Sequence, residues 1–370
     1  MNNSDLVAVD FHHKIPITQF TLLNDNHGPV FMGCENHLTR SPCFIFFGAS
    51  EGFTPQEFSN ELHVLDLVDV CNPSSHVKEL TWKLVQVESE KKPSKRITTL
   101  IYDPTKQQLI AFYGYSYNRS YLGDVWLFDL DTRRWKELET TGIKPSPRTS
   151  SVTCLSERSE LIVYGGYNGQ KHLDDFFVLD LKTATWRTEQ FNNASPGVLT
   201  VGNMNSLICN QTLFVIGGYS PHTFSRKIHT MDLNTLKWKL SLCKVWDCEG
   251  GLLVSAALRG GNHVKSKNPT LLILASEPSD ECYEAATDGT MRLFEFDYNN
   301  CHVSEYNVSE IKKQGDYSFH VCELNETTAG ILCGEFLLLV GIERFEREQS
   351  KHFRNLLNLK AFPDIEITFD

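Results

Sequence analysis

The stretch LIVYGGYNGQKHLDDFFVLDLKTATW, residues 161–186, decides the fold. It opens on a short apolar run, Leu161 to Tyr164, that breaks at Gly165-Gly166. A second run, Asp175 to Leu181, leads through Asp180 and Thr183 to Trp186. Runs this short, rich in β-branched and aromatic residues and cut by Gly and Asn, predict strands rather than helices. Asp180 and Thr183 have side chains that can cap their own backbone in a tight turn. With Ser150 to Leu155 ahead and Thr185 to Glu189 at the end, the unit reads as four consecutive strands, a to d.

Working outward, the unit recurs. Trp82, Trp135, Trp186 and Trp238 are spaced 53, 51 and 52 residues apart. The last three each follow an Asp by six positions: Asp129, Asp180 and Asp232. Upstream stand Ala111 to Tyr115, Val163 to Tyr167 and Val215 to Tyr219, each an apolar run ending in a glycine and a tyrosine. Weaker copies flank these three. Phe44 to Gly48, Leu62 to Leu67 and Trp82 form an earlier unit, with Val68 to Glu79 inserted before the tryptophan. Leu271 to Ala275, Leu293 to Asp297 and Val303 form a fifth; Phe336 to Gly341, Leu356 to Leu359 and Ile365 to Phe369 form a sixth. A fixed period near fifty residues signals repeated sheets sharing cores with their neighbours.

Period and residues together resemble the kelch repeat: apolar run, Gly-Gly, aromatic, then tryptophan. That resemblance implies an all-β, six-bladed β-propeller with four-stranded antiparallel blades, one domain over residues 1–370. The expected blades are 28–90, 91–142, 143–194, 195–247, 248–313 and 314–370. In the fifth and sixth units Ala275-Ser276 and Val340-Gly341 replace the double glycine. A propeller must also close its ring so that no sheet edge stays open. Ile17 to Leu23, within residues 15–23, and Ile365 to Phe369 are both candidates for the closing strand, and the sequence does not choose between them.

Composition narrows the function. Lys and Arg total 35 against 46 Asp and Glu, a net charge of -11, so the average field repels phosphate backbones. No apolar segment reaches the roughly 18 residues of a membrane span. The start, Met1 to Asp5, has no basic stretch leading into an apolar one, and the expectation is a cytoplasmic or nuclear chain. The cysteines number eleven, without CxxC pairs, and read as small buried hydrophobes in a reducing compartment.

In the resembled family, sites lie at the mouth of the central channel, on the b-to-c loops and the d-to-a connections. Pro93-Ser-Lys-Arg96 and Pro145-Ser-Pro-Arg148 occupy equivalent connections here. A guanidinium fork suits a carboxylate. The alternative is that Arg96 and Arg148 cover strand ends and pair with neighbouring acids. The b-to-c loops add Tyr117, Asn118 and Arg119, then Asn168 and Lys171, then His222 and Arg226. Aromatic residues and arginines are what protein interfaces use as anchors. Tyr115, Tyr167 and Tyr219 recur in register, which favours packing between blades.

No catalytic set emerges. Glu284, Asp288 and Arg292 are similar in spacing to the Glu-xxx-Asp-xxx-His metal motif of kelch nitrile-specifier proteins, but Arg cannot ligate a metal. Cys243 and Cys248 lack a partner pair for zinc. His63 and His229 occupy matching strand positions, as do Cys154 and Cys209, and repeat packing accounts for them. There is no phosphate-binding loop, dinucleotide fingerprint, HExxH or GxSxG. The resulting expectation is a non-enzymatic interaction module, without cofactor or metal, binding an acidic or carboxylate-ended peptide or protein and no nucleic acid. The alternatives are a substrate receptor of a cullin-RING ubiquitin ligase and, third, a propeller lyase or epimerase.

Overall fold

The computed structural model describes residues 8–14, 17–23, 31–36, 41–47, 59–67, 79–116, 118–193, 204–217, 219–220, 223–224, 228–239, 253–259, 270–277, 290–297, 302–307, 319–325, 328–333 and 336–341. All regular structure among the described residues is β-strand. It groups into six sheets of four or five strands and one two-stranded hairpin.

The third sheet shows the plan. Val152–Leu155, Glu160–Tyr167, His172–Asp180 and Thr185–Thr188 pair antiparallel in sequence order. The second sheet repeats it with Arg96–Asp103, Gln108–Ser116, Tyr121–Asp129 and Arg134–Glu137. The fourth uses Met204–Cys209, Thr212–Gly217, Ile228–Asp232 and Lys237–Lys239. The first uses Phe31–Asn36, Ser41–Phe47, Leu62–Asp66 and Lys83–Leu84, and the fifth Leu253–Arg259, Thr270–Glu277, Thr290–Asp297 and His302–Asn307. Each strand a touches strand a of the next sheet, and that of the sixth touches that of the first, so the contacts run in a closed cycle.

The sixth sheet departs from the expected strand order. Its strands a, b and c are Phe319–Asn325, Thr328–Cys333 and Phe336–Gly341, so the run read as strand b, with Val340-Gly341 in the double-glycine place, is its third strand. Strand b is disguised because Ala329 and Gly330 interrupt its apolar pattern. The fourth strand is Ile17–Leu23, antiparallel to Phe336–Gly341 with Phe20 opposite Leu337. The N-terminal candidate therefore closes the ring. Leu356 to Leu359 and Ile365 to Phe369 lie outside the described residues.

The periodic tryptophans pack between sheets. Phe47 at the end of strand b of sheet one lies 4.9 Å from Trp135 of sheet two. Phe112 of sheet two lies 6.1 Å from Trp186 of sheet three, and Tyr164 of sheet three 5.1 Å from Trp238 of sheet four. These residues belong to three apolar clusters, each shared by two adjacent sheets. Burying an aromatic wedge from one sheet in the next makes neither sheet independent.

The predicted c-to-d turns form as read. Asp129 accepts from the backbone N–H of Thr132 at 2.7 Å, Asp180 from Lys182 at 2.7 Å and Asp232 from Asn234 at 2.8 Å. Each turn then passes through a left-handed residue: Arg133 at φ 54°, Ala184 at 52° and Leu236 at 51°. Outer edges are covered as well. Thr141–Gly142 pairs parallel with strand d of sheet three, Glu79–Thr81 with that of sheet six and Ala8–Lys14 with that of sheet five. On sheet four the side chain of Asn193 does the same work, accepting from the Trp238 N–H at 2.8 Å and donating to its carbonyl at 2.7 Å. Covered edges cannot template pairing with another chain.

Candidate partner-binding face

In every sheet strand a begins, strand b ends and strand c begins at one end of the sheet. That end carries the b-to-c loops and the d-to-a connections, where the sequence placed the candidate residues. In sheets two, three and four the other end holds the short a-to-b and c-to-d turns.

The two Pro-Ser-X-Arg connections fold alike. Arg96 is 1% exposed and grips Asp124, which is 25% exposed, with Nη1 to Oδ1 at 2.6 Å and Nη2 to Oδ2 at 2.7 Å. Its Nε donates to the Ser94 carbonyl and its Nη2 to the Ser94 hydroxyl. Arg148, at 0% exposure, grips Asp175 at 2.5 and 3.1 Å and uses Ser146 in the same two ways. Its fifth donor goes to the Gly165 carbonyl at 2.9 Å, so every guanidinium N–H is satisfied. The ring of Phe177 lies beneath, 5.5 Å from the guanidinium carbon.

The backbones at these connections bond to the preceding sheet. Arg96 N–H donates to Ser59 at 3.1 Å, and Arg148 N–H to Leu122 at 3.2 Å. The Arg148 carbonyl also accepts from Gly114 at 3.0 Å. Each arginine thus joins two sheets, one through its backbone and the other through its side chain. Burial alone would push the Asp124 carboxyl upward, but hydrogen bonds from Arg96, its charge and the Trp126 indole outweigh that and hold it below the usual carboxylate range. Tyr113 reinforces the second junction by donating from its hydroxyl to the Pro145 carbonyl at 3.0 Å. Burial raises its phenol pKa, opposed by the charge of Arg148.

Tyr113 also stands where sheet three has Gly165, and both are left-handed, at φ 49° and 64°. The next position cannot be relaxed in the same way. Gly166 has φ 99°, and a Cβ there would sit 2.7 Å from the Thr149 carbonyl oxygen. The loop needs a glycine because strand b turns away against the strand entering the sheet.

Beyond these glycines the loops of sheets two and three carry one aromatic row. Tyr115 meets Tyr121 at 5.1 Å, Tyr121 meets Tyr167 of the next sheet at 5.9 Å, and Tyr167 meets His172 at 4.8 Å. All four are half-buried. The Tyr121 ring covers Gly169, where a Cβ would lie 2.6 Å from it. Burial and the neighbouring phenols of Tyr167 and Tyr115 raise the Tyr121 pKa. The packing expected of Tyr115 and Tyr167 is therefore made through Tyr121.

The sequence-derived candidates divide by exposure. Asn118, Arg119 and Lys171 are exposed, and Asn168 is half-buried with its side chain accepting from the N–H groups of Gln170 and Lys171. Arg119 is left-handed at φ 64°, which turns the loop at its tip. Arg96 and Arg148 lie inside the sheets in the ion pairs just described. Tyr117, His222 and Arg226 lie outside the described residues. Three contributors escaped the sequence reading. Tyr121 opens strand c in one sheet only, so no period marks it, and Asp124 and Asp175, five residues before the turn aspartates, carried a signal that was available. Lys95 and Lys144 are exposed on the two connections and add positive charge beside the loops.

The remaining candidates behave as core. Cys43, Cys154 and Cys209 are buried thiols, and burial pushes Cys154 up to about 12. His229 is buried in strand c. Among the described residues there is no group of three or more His, Cys, Asp or Glu placed to hold a metal. Glu284 and Asp288 lie outside the described residues, while Arg292 covers the Phe294 ring at 5.0 Å.

Comparison with known proteins bears on the family. Residues 37–250 match the model of the KLHDC2/KLHL20/DRC7 Kelch-repeats domain. The chain is 28% identical over 136 residues to acyl-CoA-binding domain-containing protein 5 of Arabidopsis thaliana, 36% of this chain and 20% of that one. It is 27% identical over 118 residues to kelch domain-containing protein 10 of Rattus norvegicus, 31% of this chain and 28% of that one. Against host cell factor homolog hcf-1 of Caenorhabditis elegans the identity is 30% over 109 residues, 27% of this chain and 14% of that one. The matched segments thus span a fifth of the Arabidopsis relative and under a third of the others.

Proposed function

The chain belongs to the kelch-repeat family, and from that premise we propose that it is a non-catalytic module that docks a protein partner on the b-to-c-loop face of sheets two and three. Kelch domains serve generally in protein interaction. The observation that carries this placement is the aromatic row, Tyr115 to His172, half-exposed across two sheets and bordered by exposed cations. Half-buried rings on a rigid frame supply contact area at low entropic cost, and arginine is the charged residue most used beside them.

Charge supports an acidic partner segment. Lys95, Arg119, Lys144 and Lys171 are exposed there, on a protein whose net charge is -11. Asp124 and Asp175 do not offset them, since Arg96 and Arg148 already hold both carboxylates. Arg96 and Arg148 support this face from within, and Asn118, Arg119, Asn168 and Lys171 touch the partner. In the sequence, His222 and Arg226 fall in the corresponding b-to-c segment of the fourth unit.

The test is affinity capture with mass spectrometry, comparing the wild-type chain with an Arg119→Ala/Lys171→Ala variant. A partner that is lost from the variant and released by salt supports the reading. Equal recovery of every partner by both proteins removes it. Cullin or elongin subunits among the salt-sensitive partners would identify the module as a ligase substrate receptor.

A further inference from the structure

The two Pro-Ser-X-Arg connections share their geometry but differ at one position. Ser94 is followed by Lys95 and Ser146 by Pro147. Ser146 lies between Pro145 and Pro147 and is exposed. Residues before proline avoid the helical region, so Lys144 and Ser146 both hold the segment open, the form in which kinases take their substrates. The sequence holds five Ser/Thr-Pro pairs, at Ser41, Thr54, Ser146, Ser195 and Ser220. Of these five, Ser146 is the one that the described residues show exposed beside a buried cation: its Oγ is 3.1 Å from Nη2 of Arg148. Lys144 is exposed two residues earlier.

We propose that Ser146 is a phosphorylation site for a proline-directed serine/threonine kinase, and that its phosphate switches off the docking face. The kinase moves the γ-phosphoryl group of MgATP to Ser146 Oγ. The bond from phosphorus to the β,γ-bridging oxygen breaks, ADP leaves, and the hydroxyl proton passes to the kinase's catalytic base. The product carries about -1.5 to -2 charge at neutral pH. It lies where Arg148 Nη2 now reaches both Ser146 and Asp175 Oδ2, each at 3.1 Å. The phosphate therefore competes with Asp175 for the guanidinium and neutralises the local field of Lys144. An acidic segment arriving at Arg119 and Lys171 then meets a face whose four exposed cations are offset by about half. This second step rests on the acidic-partner reading above; the phosphoryl transfer does not.

The experiment uses the folded full chain with a purified proline-directed kinase and MgATP, read by intact mass and tandem mass spectrometry. Phosphate on Ser146 is expected, lost in Ser146→Ala and reduced about tenfold in Pro147→Ala, with Ser94 unmodified. A folded chain that takes no phosphate at Ser146, or takes it only at other Ser/Thr-Pro pairs, overturns the proposal. Binding of a fluorescent Glu-rich decapeptide is measured next, and about tenfold weaker binding is expected after phosphorylation at low salt. Undiminished binding to the phosphorylated chain overturns the switch. A decapeptide that fails to bind even the unmodified chain overturns the acidic-partner reading and with it the switch, while the mass measurement still decides the site.

Discussion

The junction of sheets two and three and the junction of sheets five and six solve one packing problem with different chemistry. At the first, Trp186 wedges against Phe112, Tyr113 ties a strand to the Pro145 carbonyl, and Arg148 spans the sheets with a saturated ion pair. At the second, Leu272, Leu274, Leu293, Ile331 and Val340 form an aliphatic cluster with Met291 and Tyr306. Where the arginine of sheet three finds Asp175, strand c of sheet five carries Arg292. Where sheet three has Gly166, sheet five has Ser276. Stacked sheets need a dry, filled seam, and either an aromatic wedge or branched aliphatics fill it. The ionic clamp adds something packing does not, a fixed path for the loops that leave strands b and d.

The largest effect is expected from removing the wedge. Trp186→Ala should cost about 3–5 kcal/mol, measured by urea unfolding, because the seam cannot collapse around so large a loss. Leu274→Ala should cost about 2–5 kcal/mol if the aliphatic seam is equally tight. A loss under 1 kcal/mol there would show that the two seams are unequal.

Arg148→Ala comes next. Breaking a buried pair typically costs about 3–5 kcal/mol, and the partial exposure of Asp175 lowers the expectation to about 2 kcal/mol. Hydrogen exchange should accelerate at Gly114, whose N–H bonds the Arg148 carbonyl, and stay unchanged in sheet five. Gly166→Ala follows at roughly 1–3 kcal/mol, from its φ and the Thr149 carbonyl. The reverse change at the matching place, Ser276→Gly, should stay within about 1 kcal/mol by thermal melting.

A smaller effect is expected in acid. The Asp124 pKa is lower folded than unfolded, so its contribution to stability is present above the unfolded value near 3.9 and is lost as pH falls through the folded one. Melts between about pH 2 and 7 should show this loss in the wild type and not in Asp124→Asn, which is uniformly less stable. An unchanged acid slope in the variant would remove the pairing argument. Arg119→Ala should change stability by under about 0.5 kcal/mol while weakening the acidic partner, which separates the docking surface from its support.

Much of this was legible in the sequence, and for a local reason. The c-to-d turns span Asp to Thr within four residues, and the wedge repeats at the same offset in sheets two, three and four, so short-range pattern exposes both. The b-to-c loops were legible as polar tips, exposed at Asn118, Arg119 and Lys171 and half-buried at Asn168. Their support was not. Arg96 and Asp124 are 28 residues apart, and each residue alone reads as well for a ligand contact as for an internal pair. Tyr121 meets Tyr115 within one hairpin, but it reaches Tyr167 only because two sheets stand side by side.

By itself, then, the amino-acid sequence determined the repeat, the strand-forming runs, the turn chemistry and the tryptophan seam, because each is encoded within one unit of about fifty residues. Tertiary structure alone decided which strand closes the ring, where Arg96 and Arg148 point, and that Tyr115, Tyr121, Tyr167 and His172 form one row. Ile17–Leu23 pairs with Phe336–Gly341 from the far end of the chain. Pairing at that separation is chosen by competition among all open sheet edges, a property of the assembled ring and of no single unit.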